Sequence, residues 1–195
     1  MKKRQTGFTL IDLLVTLAVL AIVIAIGVPG LQTITESNRA ASQNNLITGT
    51  LINARSEAIK RGVDVTICGS TNATAATPVC NTAQWELGWI IFADKDQDGV
   101  FTPGPNNDTL LGVSDKLTGG LTLRTVDFTD PIRVRIQANG AIRGTPGTFK
   151  ICTQDADPKK ARAINVTAIG VSSLAKDTNS DNIVNDILGN NVTCP

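Results

Sequence analysis

The chain has 195 residues, with 18 basic and 17 acidic side chains and neither histidine nor tyrosine. The absence of histidine excludes Ser-His and Cys-His catalytic pairs and any metal site with an imidazole ligand. The near-neutral charge carries no general signature of nucleic-acid binding. The length allows one domain in addition to an anchor segment. Because no other catalytic constellation is present, we predict a protein that is not an enzyme.

A basic leader precedes a long apolar segment at the N-terminus. Three basic residues lie within residues 1–7, and residues 8–28 read FTLIDLLVTLAVLAIVIAIGV, in which Asp12 is the only ionisable residue. A helix of about 20 residues spans a bilayer core of roughly 30 Å. Positive charge before such a segment holds the N-terminus in the cytoplasm and directs the rest of the chain to export. Three roles compete for this segment: a cleaved secretory signal, a permanent anchor, or a helix that leaves the membrane to pack in a protein polymer.

Residues 4–12, RQTGFTLID, resemble the class III signal of type IV prepilins, in which a basic leader and a Gly precede Phe-Thr-Leu-Ile-Glu. The resemblance implies that a prepilin peptidase cuts after Gly7 and methylates the new amine of Phe8. It also implies that Asp12, where the family has Glu, pairs with the Phe8 amine of a neighbouring subunit and sets the axial register of a filament. The alternative is a signal anchor in which Asp12 merely favours a helix N-terminus.

Pro29 is predicted to loosen, kink or break the helix, because proline cannot continue the hydrogen-bond ladder. The helical pattern then resumes, so we expect one long helix from about residue 8 to residue 61. Residues 29–62 are predicted to form an amphipathic continuation of the helix. Its apolar face is spaced at four, three and four residues, and comprises Ile47, Leu51, Ala54 and Ala58. Gly62 is a natural C-terminal stop. We therefore expect this part of the helix to pack one face on a globular domain.

From residue 63 onward the pattern becomes that of a β-rich domain. Strands are predicted at residues 63–68, 85–92, 109–113, 121–126, 132–137, 141–143, 148–152 and 162–171. Asn139-Gly140 predicts a tight turn between the fifth and sixth of these strands. Trp85 and Trp89 are four residues apart on one predicted strand, so we expect both in the core. The polar tail from residue 172 is predicted to be a loop.

Four cysteines, Cys68, Cys80, Cys152 and Cys194, all lie beyond the apolar segment and are therefore predicted to be exported. An even number of cysteines in an exported domain predicts two disulfides, and four cysteines allow three pairings. We favour the nearest pairing, Cys68–Cys80 and Cys152–Cys194. The spacing matches no zinc motif, because no two cysteines lie two to four residues apart.

Two further blocks, LINARSEAIKRG at residues 51–62 and WELGWIIFADKDQDG at residues 85–99, are similar to sequences of the GspH/FimT group of minor pilins and pseudopilins. The resemblance implies an α+β, type IV pilin-like fold, in which a long N-terminal helix with a protruding apolar half packs on an antiparallel β-rich domain with two disulfides. The expected organisation is a cleaved leader (1–7), a transmembrane or filament-core helix (8–28), its amphipathic continuation (29–62) and a globular domain (63–195).

An acidic stretch after the second predicted strand is a candidate calcium loop. Asp94, Asp96 and Asp98 precede Gly99 in the D-x-D-x-D-G pattern that opens such loops. Proline occupies the twelfth position, where an EF-hand has Glu, although Asp108 could close a non-standard site. The alternative is an Asp- and Gly-rich turn, which is common after a strand. We expect no cofactor otherwise.

Three arginines on one predicted hairpin, Arg133, Arg135 and Arg143, are candidates for contacts with DNA phosphates. Some FimT proteins bind DNA and carry a Gly-Arg-x-Arg stretch, but the aligned residues 170–173 here read GVSS. No aromatic residue is interleaved for stacking on single strands. A solvated strand face or a contact with the next pilin is the alternative interpretation.

These features together predict a minor pilin or pseudopilin, which would be a structural subunit of a type IV pilus at its tip or initiation complex. The alternatives are a pseudopilin of a type II secretion system and a DNA-capturing minor pilin of natural transformation. The expected partners are other pilins, contacted through the N-terminal helix, and the prepilin peptidase. We expect a single pass through the bacterial inner membrane, with the N-terminus cytoplasmic and the globular domain periplasmic, before assembly into the pilus or pseudopilus.

Overall fold

The structure is a computed structural model that describes residues 7, 9–104 and 107–195, without the side chains of residues 28–33. The chain divides into two compact units, Met1–Asn38 and Arg39–Pro195. A single helix, α1 (Leu10–Arg61), begins in the first unit and ends in the second. Gly62 comes directly after it with a φ of 65°, and its N–H donates to the Ala58 carbonyl at 2.9 Å. The predicted helix stop is thereby confirmed.

Helix α1 is continuous through residue 29, which confirms the expectation of one long helix. A complete break at Pro29 is therefore wrong, whereas a local loosening or kink there stays a prediction. Proline lacks a backbone N–H and deletes one hydrogen bond from the helix ladder. In a helix of 52 residues, the bonds on both sides of that single deletion keep the backbone helical.

Among the described residues, eight strands form two antiparallel sheets of four strands each. The strands are β1 (Asp64–Gly69), β2 (Trp89–Asp94), β3 (Thr109–Ser114), β4 (Thr122–Val126), β5 (Arg133–Ile136), β6 (Gly147–Cys152), β7 (Arg162–Val166) and β8 (Ser172–Leu174). The first sheet has the order β3-β2-β1-β5, and the second has the order β4-β6-β7-β8. Both sheets belong to the second compact unit.

The predicted strand at residues 85–92 begins later than expected, because Trp85–Leu87 forms a turn of 3₁₀-helix. Side-chain contacts hold this turn: Trp85 Nε1 donates to the Pro131 carbonyl at 2.9 Å, and Glu86 pairs with Arg124 and accepts the Leu123 N–H at 3.3 Å. These partners are distant in sequence, so tertiary contacts override the local strand pattern.

The region after residue 136 also differs from the prediction. Residues 141–143 form no strand, although Ile142 makes an isolated bridge to Ile136 across the predicted turn. The last predicted strand ends at Val166, and a turn closed by the Gly170 N–H and the Thr167 carbonyl leads into β8. Strand β8 occupies the start of the tail, for which the sequence predicts a loop. Gly170 has a φ of 75°, which suits this turn.

One hydrophobic core joins α1 to both sheets. The predicted helix face of Ile47, Leu51, Ala54 and Ala58 is buried in this core, as the four-three-four spacing indicates. Trp85 and Trp89 are fully buried, which confirms their prediction as core residues. The Trp85 ring meets the Phe149 ring edge-on, with centroids 5.0 Å apart, and so connects the 3₁₀-turn to β6.

Both disulfides favoured from the sequence are present. Cys68 on β1 is bonded to Cys80 in the loop before the 3₁₀-turn, with Cα atoms 5.4 Å apart. Cys152 on β6 is bonded to Cys194 near the end of the chain, with Cα atoms 5.8 Å apart. The first bond fastens a loop to the first sheet, and the second fastens the C-terminal segment to the second sheet.

Candidate functional site

The N-terminus of α1 is closed by a reciprocal contact between Thr9 and Asp12. The Thr9 N–H donates to Asp12 Oδ2 at 3.1 Å, and the Thr9 hydroxyl donates to the same oxygen at 2.6 Å. In return, the Asp12 N–H donates to the Thr9 hydroxyl at 3.3 Å. This is a capping box, in which a Thr and an acid three residues later satisfy the free N–H groups of the first helical turn.

The predicted processing site lies directly before this cap. Gly7 is exposed and lies outside the helix, and Phe8 lies outside the described residues. The Asp12 carboxylate is exposed beside this point and is the only acidic group in the apolar part of α1. The predicted assembly residue lies in the first turn of α1, five residues after Gly7 in the sequence.

Leu10–Gly27 is long and apolar enough to cross a membrane, with a mean hydropathy of 2.8 over its 18 residues. None of this segment is buried, and its large apolar side chains are exposed. Within the part of the chain that the structure describes, no other helix meets the same criteria of length and composition. Exposed apolar side chains over this length require lipid or protein around them.

The structure rearranges the predicted calcium site. Carboxylate oxygens of Asp94, Asp96 and Asp108 lie within 4.8 Å of one another, and we call these three residues the acidic cluster. Asp98 is outside it, which corrects the predicted set of Asp94, Asp96 and Asp98. The Asp98 carboxylate instead accepts the Val100 N–H at 2.6 Å, as an Asx-turn does. Asp108, which the sequence offered as the residue that could close a non-standard site, takes its place.

Asp94 is the most deeply buried member of the acidic cluster, with no exposed surface. Its Oδ2 accepts the Thr66 hydroxyl at 2.7 Å and the Gly99 N–H at 3.1 Å, and lies 3.6 Å from Arg135 Nη2. Burial raises the pKa of Asp94 above its ordinary value, since desolvation outweighs the favourable contacts with Thr66 and Arg135. The nearby Asp108 carboxylate raises this pKa further.

The three candidate DNA-contacting arginines all have acidic partners. Arg133 pairs with Asp130 at 3.1 Å, and Arg135 lies 3.6 Å from Asp94. Arg143 donates from Nε at 3.0 Å and from Nη2 at 2.5 Å to Asp64. Arginine and acid together line a cavity of about 210 Å³ in this region, whose walls include Phe128, Asp130, Arg133, Arg135 and Arg143. The structure thus brings the three arginines together but neutralises them with carboxylates.

Sequence reasoning missed Asp64. The alternation in residues 63–67 indicates a half-exposed strand with Asp64 and Thr66 on the polar face, but every residue of β1 is buried. Strand β1 lies between β2 and β5, and Asp64 additionally accepts the Ala138 N–H at 3.2 Å. The sequence signal that could have identified Asp64 was an acid within a predicted strand, since a buried acid requires a partner.

The fold and the N-terminal segment together define a pilin-like protein. A family model described as "Type II transport protein GspH" matches residues 43–170, and a model of the prokaryotic N-terminal methylation motif matches residues 2–28. The chain belongs to the GspH family. No curated protein matches the chain. Members of this class are minor pilins or pseudopilins of type IV pili or type II secretion systems, and this chain is one of them.

Solved structures of FimU and EpsH are among those that resemble this one. The type IV minor pilin FimU of Pseudomonas aeruginosa is similar with a TM-score of 0.54 and 20% identity, over 73% of this chain and 92% of FimU. The minor pseudopilin EpsH of the Vibrio cholerae type 2 secretion system has a TM-score of 0.46 and 16% identity, over 70% of this chain and 95% of EpsH. The similarity to FimU supports the pilin-like fold.

Proposed function

We propose that this chain is a minor, non-catalytic subunit of a type IV pilus, which enters the filament through the apolar part of α1 and acts at the tip or in initiation. One observation carries the proposal: the methylation motif covers the same residues as an exposed, membrane-length helix with a single acid, Asp12. A cation at the acidic cluster is not required for this role.

The proposed route starts in the bacterial inner membrane. The basic leader keeps the N-terminus in the cytoplasm, and the two disulfides suit a periplasmic globular domain. A prepilin peptidase then cuts after Gly7 and methylates Phe8. The segment Leu10–Gly27 afterwards exchanges lipid for the helices of other pilins, which explains why it is apolar on every side.

Asp12 provides the proposed register contact. A carboxylate in an apolar segment is costly unless it is paired, so a function is its default interpretation. Thr9 already satisfies Asp12 Oδ2 within the chain. We infer that the negative charge of Asp12 additionally attracts the Phe8 amine of a neighbouring subunit during assembly. The helix cap thus requires the hydrogen-bonding oxygen of Asp12, whereas the register contact requires its negative charge. A substitution can separate these two requirements.

Asparagine at residue 12 can accept the Thr9 hydrogen bonds but carries no charge. We therefore expect Asp12→Asn and Asp12→Ala each to lower incorporation into sheared filaments at least about tenfold, the effect of roughly 1.4 kcal/mol or more in assembly. Asp12→Glu should retain incorporation. Thr16→Val is the matched control, because it alters a polar side chain one turn further along without a change in charge.

Quantitative immunoblots of filaments against whole cells measure incorporation, and mass spectrometry of the N-terminus checks cleavage and methylation for each variant. Wild-type incorporation of a correctly processed Asp12→Asn variant would refute the charge-pair role. An unprocessed wild-type chain that retains residues 1–7 would refute the prepilin assignment itself.

A type II secretion pseudopilus is the second candidate filament, favoured by the description of the matching family model as a type II transport protein. Deletion of the gene distinguishes the two. Loss of surface pili with intact export of secreted enzymes would support the pilus, and the reverse result would support the secretion system.

A third candidate, DNA capture, would use Arg133, Arg135 and Arg143. The acidic partners of all three argue against a positive surface there.

A further inference from the structure

The residues of the acidic cluster come from the end of β2, the loop after it and the residue before β3. Asp94 is the last residue of β2, Asp96 lies in the loop after it, and Asp108 directly precedes β3. Asp94 and Asp108 are buried, and Asp96 is exposed. Two buried carboxylates and a third at the surface within 4.8 Å repel one another unless a positive charge lies between them.

The hydrogen bonds of the cluster leave one buried oxygen without a donor. Both oxygens of Asp108 accept backbone N–H groups, from Lys95 at 3.0 Å and from Thr102 at 2.9 Å. Asp94 Oδ2 has its three partners, but Asp94 Oδ1 is buried and has no hydrogen-bond partner among the described residues. A buried carboxylate oxygen without a partner is costly, and in native proteins it calls for a specific explanation.

Arg135 neutralises only part of this charge. Its guanidinium lies 3.6 Å from Asp94 Oδ2, on the side of the carboxylate that is already satisfied, and Nη2 also donates to the Gln97 carbonyl. Among the described ion pairs, none involves Asp96 or Asp108. The cluster therefore retains negative charge that a bound cation would balance.

We propose that the acidic cluster binds one calcium ion, with Asp94, Asp96 and Asp108 as its carboxylate ligands. Calcium takes oxygen ligands at 2.3–2.6 Å, so oxygens that share one ion lie at most about 5 Å apart. The three carboxylates already satisfy this limit. The ion would accept Asp94 Oδ1 as a ligand and fasten β2, the loop after it and the start of β3 to one another.

Asp98 provides a matched control for this site. Asp96 and Asp98 are both exposed acids of the same loop, and each accepts a backbone N–H two residues further on: that of Asp98 at 3.4 Å and that of Val100 at 2.6 Å. Asparagine preserves these contacts in both cases. Asp96→Asn and Asp98→Asn therefore remove the same charge from the same loop, but only the first removes the charge of a proposed ligand.

The test uses the full-length chain in detergent micelles, first stripped with a chelator and then titrated with calcium chloride. We expect about 10 mM calcium to raise the Tm of the wild type and of Asp98→Asn by roughly 3–8 °C, as measured by circular dichroism. Asp96→Asn should lose most of this shift, and its calcium affinity by isothermal titration calorimetry should fall at least about tenfold, because one charged ligand is missing.

Magnesium chloride and sodium chloride of equal ionic strength test for specificity. Equal shifts from these salts would overturn the proposal, since they would indicate screening of the acidic loop. A calcium shift that Asp98→Asn abolishes and Asp96→Asn retains would overturn the ligand set. Absence of any calcium shift in the wild type would overturn the site altogether, while leaving the filament role untouched.

Discussion

The residue Asp64 shows how this fold uses a buried charge. Asp64 lies at the start of the central strand β1 and is almost fully buried. Its carboxylate accepts two hydrogen bonds from Arg143 and one from the Ala138 N–H. A single acid thereby fixes the chain on both sides of the Asn139-Gly140 turn to the first sheet.

Replacement of Asp64 should destabilise the protein. We expect Asp64→Ala to lower the free energy of unfolding by about 2–3 kcal/mol, less than the largest values for buried pairs because Arg143 is partly exposed. Lys60→Ala, which removes a largely exposed ion pair with Glu57, should cause no measurable loss. Urea denaturation monitored by circular dichroism compares the two. Equal stability of Asp64→Ala and the wild type would contradict the structural role assigned to this pair.

The members of the acidic cluster could be predicted only in part from the sequence. The D-x-D-x-D-G pattern predicted Asp94 and Asp96, since the two are close in sequence, at the end of β2 and in the loop after it. It also selected Asp98, because a sequence pattern cannot show that a carboxylate caps Val100 instead of pointing at its neighbours. The sequence could offer Asp108 only as a residue able to close the site, because its place in the cluster depends on the return of the chain to β3, which local spacing does not determine.

Among the secondary-structure elements, helix α1 was the most predictable. The 3.6-residue period depends only on local spacing, so the buried face from Ile47 to Ala58 and the stop at Gly62 could be inferred from the sequence. The short strands were less predictable. Strand β8 has three residues and pairs with β7 across the Gly170 turn, so its existence depends on tertiary pairing more than on its own composition.

The two disulfides should differ in their contribution to stability. They close loops with sequence separations of 12 and 42 residues, and a longer loop loses more entropy in the unfolded chain when it is closed. We expect removal of Cys152–Cys194 by paired Cys→Ser substitution to cost about 4 kcal/mol, against about 3 kcal/mol for Cys68–Cys80. Urea denaturation of both double variants under oxidising conditions gives the comparison. A greater loss from the shorter loop would indicate that native contacts, not loop length, dominate.

Considered as a whole molecule, the chain offers little attraction to nucleic acid. Without the leader, the chain has 15 of its 18 basic residues and all 17 acidic residues, so its net charge is slightly negative. The three candidate arginines already have carboxylate partners. Non-specific DNA binding depends on uncompensated positive charge and weakens steeply with salt.

We therefore expect no gel shift with duplex DNA at about 150 mM salt. The Gly-Arg-x-Arg stretch of some FimT proteins can be rebuilt as Val171→Arg with Ser173→Arg, two exposed residues of which the first directly precedes β8 and the second lies within it. We expect this double variant to retard DNA at low salt where the wild type does not. Strong retardation by the wild type, lost on replacement of Arg143 by Gln, would instead support DNA capture.

The burial of both tryptophans has a practical consequence. The chain has no tyrosine, so its near-ultraviolet emission comes almost entirely from Trp85 and Trp89. Both rings are shielded from water, and the Trp85 ring contacts Phe149 on the second sheet while its Nε1 donates to the Pro131 carbonyl. Entry of water between the two sheets would therefore shift the emission to longer wavelength. The protein thus contains a built-in optical probe of its core, which needs no label on the filament-forming helix.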